Sequence, residues 1–181
     1  MIQHTERPRP RALETIPLGG ALVGIFDLLF AFIFYGLILK APALRIFQSV
    51  AAGVLGRTRA TEGGVKTFVL GLVLHFVVAT CIATVYYLIT ITMPFVLRYA
   101  IPSGLAYGMI AYLGMNYVVI PLSAIGPRTT SKRTWIIAVE IIGHAFLVGL
   151  PLALLARRSA RNQPQEHGDT EPLTTPRTAN S

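Results

Sequence analysis

Four long apolar blocks, separated by shorter polar stretches, constrain what this sequence can fold into. Hydrophobic residues fill 53% of the 181 positions and charged residues only 13%, about half the charged share of an ordinary soluble domain. The blocks cover 18–39, 67–93, 102–122 and 135–156. At about 1.5 Å per residue, each can cross a hydrocarbon core of about 30 Å. We therefore predict an all-α membrane protein, a four-transmembrane-helix bundle.

The segments around these blocks predict three regions. Residues 1–17 form a polar basic arm, 18–156 the transmembrane domain, and 157–181 a polar tail whose composition predicts disorder. A signal peptide competes for the first block, because the arm is basic and Ala41-Pro42-Ala43 imitates a cleavage site. We favour a membrane span, since the apolar core of a signal peptide is only about 7–15 residues long.

Between the first and second spans the chain is too polar to cross a membrane, yet its apolar residues recur at helical spacing. These residues are Leu44, Phe47, Ala51, Val54 and Leu55. The opposite side carries Arg45, Gln48 and Ser49. We predict a short interfacial helix, with a membrane-exposed loop containing one helical turn as the alternative.

The charge distribution leaves the orientation open. Four spans place both termini on one side, and Lys plus Arg number eight on each side, so the positive-inside rule gives a tie. We favour cytoplasmic termini, because the tail then needs no translocation. The net charge of +8 predicts contact with anionic lipids rather than nucleic acid, since the basic residues flank apolar helices. The candidate lipid-facing residues are Arg7, Arg9, Arg11, Arg157, Arg158 and Arg161.

Five strongly polar residues lie inside the spans and form a candidate intramembrane polar cluster. They are Asp27, His75, Asn116, Glu140 and His144. A charged side chain at a helix centre costs about 2.5–3.5 kcal/mol on insertion scales, so each one requires a reason. Counting residues places all five in the half of the membrane opposite the termini. They either form a functional site or hydrogen-bond across the bundle to fix helix order, at about 0.6 kcal/mol per contact.

Two histidines inside the spans are candidate cofactor ligands. His75 and His144 have nearly equal predicted depths, as two axial haem ligands would, and with a carboxylate they could bind a divalent metal. Their spacing matches no known ligand motif, so we predict no cofactor. Cys81 is the single cysteine, and no nucleophile stands in register with a base, so an enzyme is disfavoured.

Small residues predict where helices approach closely. Gly20-x-x-x-Gly24 and Gly104-x-x-x-Gly108 each place two glycines on one helix face. Deeper tyrosines could join the polar cluster through their hydroxyls. These are Tyr86, Tyr87, Tyr107 and Tyr112.

Three stretches of the spans carry a resemblance to known proteins: Tyr86-Tyr87 followed by Pro94-Phe95, Gly104 with Tyr107-Gly108, and Met115-Asn116-Tyr117-Val118-Val119 with Pro121-Leu122-Ser123. They resemble an uncharacterised family of small four-span bacterial inner-membrane proteins with no assigned activity. The resemblance implies a multi-pass protein of the bacterial cytoplasmic membrane. It implies no functional residues.

These observations favour a structural, assembly or lipid-associated role. One alternative is a small transporter or an ion- or proton-conducting subunit, expected to be a homo-oligomer, that uses Asp27, Glu140 and His144 as a relay. The other is an intramembrane redox protein that holds a metal or haem.

Overall fold

The computed structural model describes residues 10–127 and 133–161, and these form an all-α bundle. Four helices are long and apolar enough to cross a membrane: α1 (Ala12–Ile38), α4 (Gly64–Thr92), α6 (Ala100–Leu122) and α7 (Thr134–Arg161). Three shorter helices connect them: α2 (Ala43–Leu55), α3 (Arg57–Glu62) and α5 (Phe95–Arg98). The predicted fold class is confirmed.

The outer surface of the bundle is apolar, as a lipid-facing surface must be. Along α4, exposed valines recur every four residues and form one stripe. They are Val65, Val69, Val73 and Val77. The sulfur-bearing Cys81 continues this stripe and is also exposed. Apolar exposure of this kind marks the protein as a multi-pass membrane protein.

The ends of the bundle differ from the predicted boundaries. Residues 12–17 and 157–161 are helical, so they belong to α1 and α7 and not to a polar arm and tail. The two helix ends bind each other: Ser159 Oγ accepts a 3.0 Å hydrogen bond from the Arg11 amide and donates a 3.1 Å bond to Glu14. Arg7, Arg9 and residues 162–181 lie outside the described part.

The glycines predicted to pack do so within the chain. A Cβ atom at Gly20 would lie 2.5 Å from Thr80 Oγ1, and one at Gly24 would lie 2.6 Å from the Phe76 ring, so both glycines bring α1 onto α4. On α6, Gly104 lies against the Gly149 backbone and Gly108 against the His144 carbonyl of α7. Helices of a membrane bundle approach most closely at such small residues.

The antiparallel spans α4 and α6 contact each other through aromatic side chains. The Tyr86 and Tyr107 ring centroids lie 4.8 Å apart, and the Tyr107 hydroxyl donates a 2.6 Å hydrogen bond to the Ile82 carbonyl. Among the described residues, the backbones of α4 and α6 make few or no close contacts. Away from the two rings, His75 of α4 and Asn116 of α6 line a common gap.

The short amphipathic helix α2 covers the end of this gap. Phe47 and Ala51 are buried as predicted, and a Cβ atom at Gly71 of α4 would overlap the Phe47 carbonyl oxygen. At the far end of α2, the Gly53 carbonyl accepts a 2.9 Å hydrogen bond from the amide of Ala124, just beyond α6. Helix α2 thus reaches from α4 to the end of α6.

One part of the predicted amphipathic pattern of α2 is wrong. The helical spacing predicts Gln48 on the polar face, but its side chain is only 1% exposed, whereas Val54 of the predicted apolar face is 62% exposed. The Gln48 amide donates 3.3 Å hydrogen bonds to the Gly64 carbonyl and to Thr67 Oγ1. These acceptors at the start of α4 satisfy the amide nitrogen, because a hydrogen-bonded polar group loses little on leaving water. The buried Oε1 of Gln48 accepts no hydrogen bond from the described residues.

Candidate functional site

Asp27 lies between two histidines from neighbouring helices. Its Oδ2 is 4.0 Å from Nδ1 of His75 on α4, and its Oδ1 is 3.8 Å from Nε2 of His144 on α7. Both distances exceed those of a hydrogen bond. No hydrogen-bond donor of the described residues reaches this carboxylate, whose side chain is 29% exposed.

Backbone carbonyls orient both imidazole rings. His75 Nε2 lies 2.9 Å from the Gly24 carbonyl oxygen, and His144 Nδ1 lies 2.9 Å from the Glu140 carbonyl oxygen. A carbonyl oxygen can only accept, so each of these nitrogens carries the hydrogen. In the neutral form of each ring, the remaining nitrogen therefore presents a lone pair to Asp27. The corner between the three side chains contains acceptors only, which favours a cation.

The second carboxylate, Glu140, is held by tyrosines. The Tyr112 hydroxyl of α6 donates a 2.6 Å hydrogen bond to Glu140 Oε2, and the Tyr35 hydroxyl of α1 donates to Oε1. Glu140 is 2% exposed, so these donors replace water around a buried charge. The three residues join three of the four spans.

Asn116 extends the polar surface by one helical turn. Its Nδ2 donates a 3.0 Å hydrogen bond to the Tyr112 carbonyl four residues earlier in α6. Its Oδ1 is buried and accepts no hydrogen bond from the described residues. The amide therefore retains one acceptor for a further donor.

All five predicted polar residues line one cavity of about 520 Å³. Its walls come from α1, α4, α6 and α7 and are mostly apolar, and α2 contributes Arg45 and Ser49 at the exposed edge. A volume of about 300–1,000 Å³ is typical of sites for small organic ligands. The structure thus brings together Asp27, His75 and His144 directly, with Glu140 and Asn116 on the same cavity wall.

A packed core closes the cavity toward the chain termini. Val23, Ala79 and Val148 contribute to both the cavity lining and this core. Below them the core continues through buried alanines and Leu152 to the ends of α6 and α7. The polar residues are therefore reached from the half of the bundle that α2 covers.

Three spans contain a π-helical segment at the level of the cavity. The segments are Phe32–Ile38 in α1, Met115–Val119 in α6 and Ala145–Gly149 in α7. Tyr35 and Asn116 lie inside two of them, and His144 immediately precedes the third. Short π-helical turns within α-helices frequently mark functional sites, since each extra residue redirects neighbouring side chains.

The geometry constrains cofactor binding. His75 and His144 both direct their ligand-capable nitrogen toward Asp27, so the carboxylate competes for the space that a haem between them would need. Within residues 10–127 and 133–161, no three His, Cys, Asp or Glu side chains are grouped as a metal site. The absence of a cofactor stays a prediction, with haem and a divalent metal as its alternatives.

Tyr35 is the site residue that sequence reasoning missed, whereas Tyr112 was one of the deeper tyrosines expected to join the cluster. Tyr35 lies eight residues after Asp27, about two helical turns along α1, which places both near one face. The π-helical segment that brings Tyr35 onto the same face as Asp27 cannot be recognised from the sequence. Tyr86 and Tyr107 contact each other outside the polar cluster.

Comparisons with known proteins identify no relative of this chain. No family model, curated protein or solved structure matches it. The resemblance to a bacterial inner-membrane family stays a prediction, and the geometry of the cavity carries the functional argument.

Proposed function

We propose that this chain is a small proton-translocating membrane protein in which Asp27 takes up the proton. The observation that carries this proposal is the Asp27 carboxylate, which faces two imidazole nitrogens at 3.8 and 4.0 Å and receives no hydrogen bond from the described residues. A charge inside a membrane is costly without a partner. A proton shared between the carboxylate and an imidazole supplies that partner.

The contrast with Glu140 argues against a purely structural role for the cluster. Glu140 receives hydrogen bonds from Tyr35 and Tyr112 on two other helices, which is what a residue that fixes helix order requires. Asp27 makes no such bond, although it carries the same kind of charge. A cation that binds to this carboxylate and dissociates from it accounts better for the arrangement.

The one-sided cavity fits a carrier better than an open channel. The polar corner is reached from the half covered by α2, and the packed core around Val148 and Leu152 blocks the other half. In alternating access, a site near the membrane centre opens to one side at a time. The π-helical segments in α1, α6 and α7 supply places where these helices can change register.

We propose that the protein lies in the bacterial cytoplasmic membrane with both termini in the cytoplasm. In this orientation, Arg157, Arg158 and Arg161 at the end of α7 meet anionic lipids. The cavity then opens toward the periplasmic side. A homo-oligomer would enclose more of the pathway than four helices can.

Proton flux into proteoliposomes tests this function. The vesicles contain the protein and an internal pH-sensitive dye. Valinomycin then sets a potassium diffusion potential that is negative inside. We expect acidification well above that of protein-free vesicles, and its loss in Asp27→Asn. Glu62→Gln is the matched control, because Glu62 is exposed on α3 and away from the cavity lining. Wild-type flux equal to that of empty vesicles, or full flux in Asp27→Asn, would exclude the proposal.

A further inference from the structure

We propose that the cavity binds a hydrophobic amine, whose ammonium group donates hydrogen bonds to Asp27, His75 Nδ1 and His144 Nε2. This inference rests on the same Asp27 site as the proposed proton translocation and names the solute class that competes with the proton. Three features carry it: the chemistry of the polar corner, its spacing, and the size and lining of the adjoining cavity.

The chemistry of the corner complements a primary ammonium. An ammonium group carries three N–H donors and no acceptor. The corner offers a carboxylate and two imidazole lone pairs, while the N–H groups of both rings are occupied by the Gly24 and Glu140 carbonyls. The corner therefore offers three acceptor groups for the three donors of the ammonium.

The spacing suits hydrogen bonds better than metal coordination. A nitrogen about 2.8 Å from two acceptors that lie 3.8–4.0 Å apart subtends an angle of about 90°. Each hydrogen bond then bends by about 10° from linear, well within the tolerated range. A zinc ion at about 2.0–2.1 Å would hold tetrahedral ligands about 3.4 Å apart, so the side chains would have to close around it.

The rest of the cavity provides room for an apolar body. About 520 Å³ is far more than a proton or bare ion requires, and the walls next to the polar corner are aliphatic and aromatic. The side chains that would contact the hydrocarbon part include Val23, Leu28, Phe30, Ile82, Met115 and Val148. Burial of apolar surface contributes about 25 cal/mol per Å², so this lining selects amines with a hydrophobic group.

Binding to the purified protein in detergent tests the inference with three probes of matched shape. They are phenylbutylamine, its neutral analogue phenylbutanol, and phenylbutyltrimethylammonium, which keeps the charge but lacks N–H donors. We expect isothermal titration calorimetry to give the primary amine an affinity roughly tenfold or more above the other two. The alcohol also controls for partition into the micelle. Equal affinity for amine and alcohol, or no binding of the amine, would overturn the inference.

Two variants assign the binding to the corner. Asp27→Asn should reduce the affinity for phenylbutylamine to that for phenylbutanol, whereas Glu62→Gln on exposed α3 should leave the preference intact. If Asp27→Asn does not fold, the wild-type protein's affinities for phenylbutylamine and phenylbutyltrimethylammonium decide the matter, because only the first has N–H donors. Equal affinity for these two probes would refute the site. Preference for the amine in a folded Asp27→Asn protein would refute the site.

The ammonium group could come from a free amine or from the headgroup of phosphatidylethanolamine, since the gap between α4 and α6 adjoins the cavity. Titration in nanodiscs separates these sources. If the headgroup occupies the corner, phenylbutylamine binds several-fold more weakly in phosphatidylethanolamine discs than in phosphatidylcholine discs. Equal affinity in both discs assigns the corner to a free amine.

These binding measurements require no transport. Proton flux without amine preference would leave the proposed function intact and remove the amine inference. Amine preference that depends on Asp27, in a protein without proton flux, would retain the binding site and exclude proton translocation.

Discussion

The Tyr112 hydroxyl donates a 2.6 Å hydrogen bond to Glu140 and thereby connects α6 to α7 inside the bundle. We expect Tyr112→Phe to lower the free energy of unfolding by about 1–3 kcal/mol, because it leaves a buried carboxylate oxygen with one donor fewer. Unfolding in mixed detergents, followed by circular dichroism, measures the change. Tyr117→Phe is the control, since Tyr117 is 68% exposed. Equal stability of both variants would show that the bond has no net effect.

Close backbone contact makes Gly108 intolerant of a methyl group. A Cβ atom there would overlap the His144 carbonyl oxygen and lie 2.7 Å from Ala145 Cα. We expect Gly108→Ala to destabilise the protein by about 1–3 kcal/mol or more, because the α6 and α7 backbones must separate. Gly114→Ala, which has open space around it, should instead stabilise the helix by about 0.5–1 kcal/mol. Thermal unfolding of the two variants checks both expected changes in stability. A change in the same direction in both variants would contradict this packing.

Gly71 allows α2 to lie on α4 beside the cavity. A Cβ atom at Gly71 would overlap the Phe47 carbonyl oxygen, so Gly71→Ala should displace α2 while α4 remains helical. Hydrogen–deuterium exchange should rise several-fold in Ala43–Leu55 relative to the four spans. Gly53→Ala is the control, because its nearest neighbour is Ser123 Cβ at 4.0 Å. Unchanged exchange in Gly71→Ala would mean that α2 is not held by this contact.

The proposed orientation predicts which residues a membrane-impermeant maleimide reaches. In a Cys81→Ala background, Ser49→Cys on the exposed side of α2 should be labelled in intact spheroplasts. Arg158→Cys, on the exposed side of α7, should be labelled only after permeabilisation. The reverse pattern would place the termini outside and the cavity mouth in the cytoplasm.

The spans could be predicted because length and hydropathy alone decide whether a helix crosses a bilayer. Their ends are less predictable, since the helical start at Ala12 is fixed by bonds from Arg11 and Glu14 to Ser159, which lies 145 or more positions away from both in the chain. The burial of Gln48 is unpredictable for a similar reason. Its hydrogen-bond partners lie at the start of α4, and the periodicity of α2 carries no information about them.

Part of the candidate site could also be predicted. Charged or imidazole side chains inside apolar spans stand out, so counting residues is sufficient to place Asp27, His75 and His144 in the same half of the membrane. Tyr35 did not stand out, because tyrosines are common in membrane helices and its hydroxyl shows a role only when Glu140 of α7 lies beside it. Only the three-dimensional arrangement shows that no described residue donates a hydrogen bond to the Asp27 carboxylate.

The π-helical segments make the cavity sensitive to single-residue deletions. Each wide turn contains a residue that a regular α-helix would not need. Removing one residue from Met115–Val119 would return α6 to a regular α-helix and leave the residues beyond it in nearly their present orientation, because the wide turn absorbs the extra residue. The side chains inside the turn, Asn116 among them, would change direction instead. A chain that lost one of these turns could therefore still cross the membrane four times, yet different side chains would line its cavity.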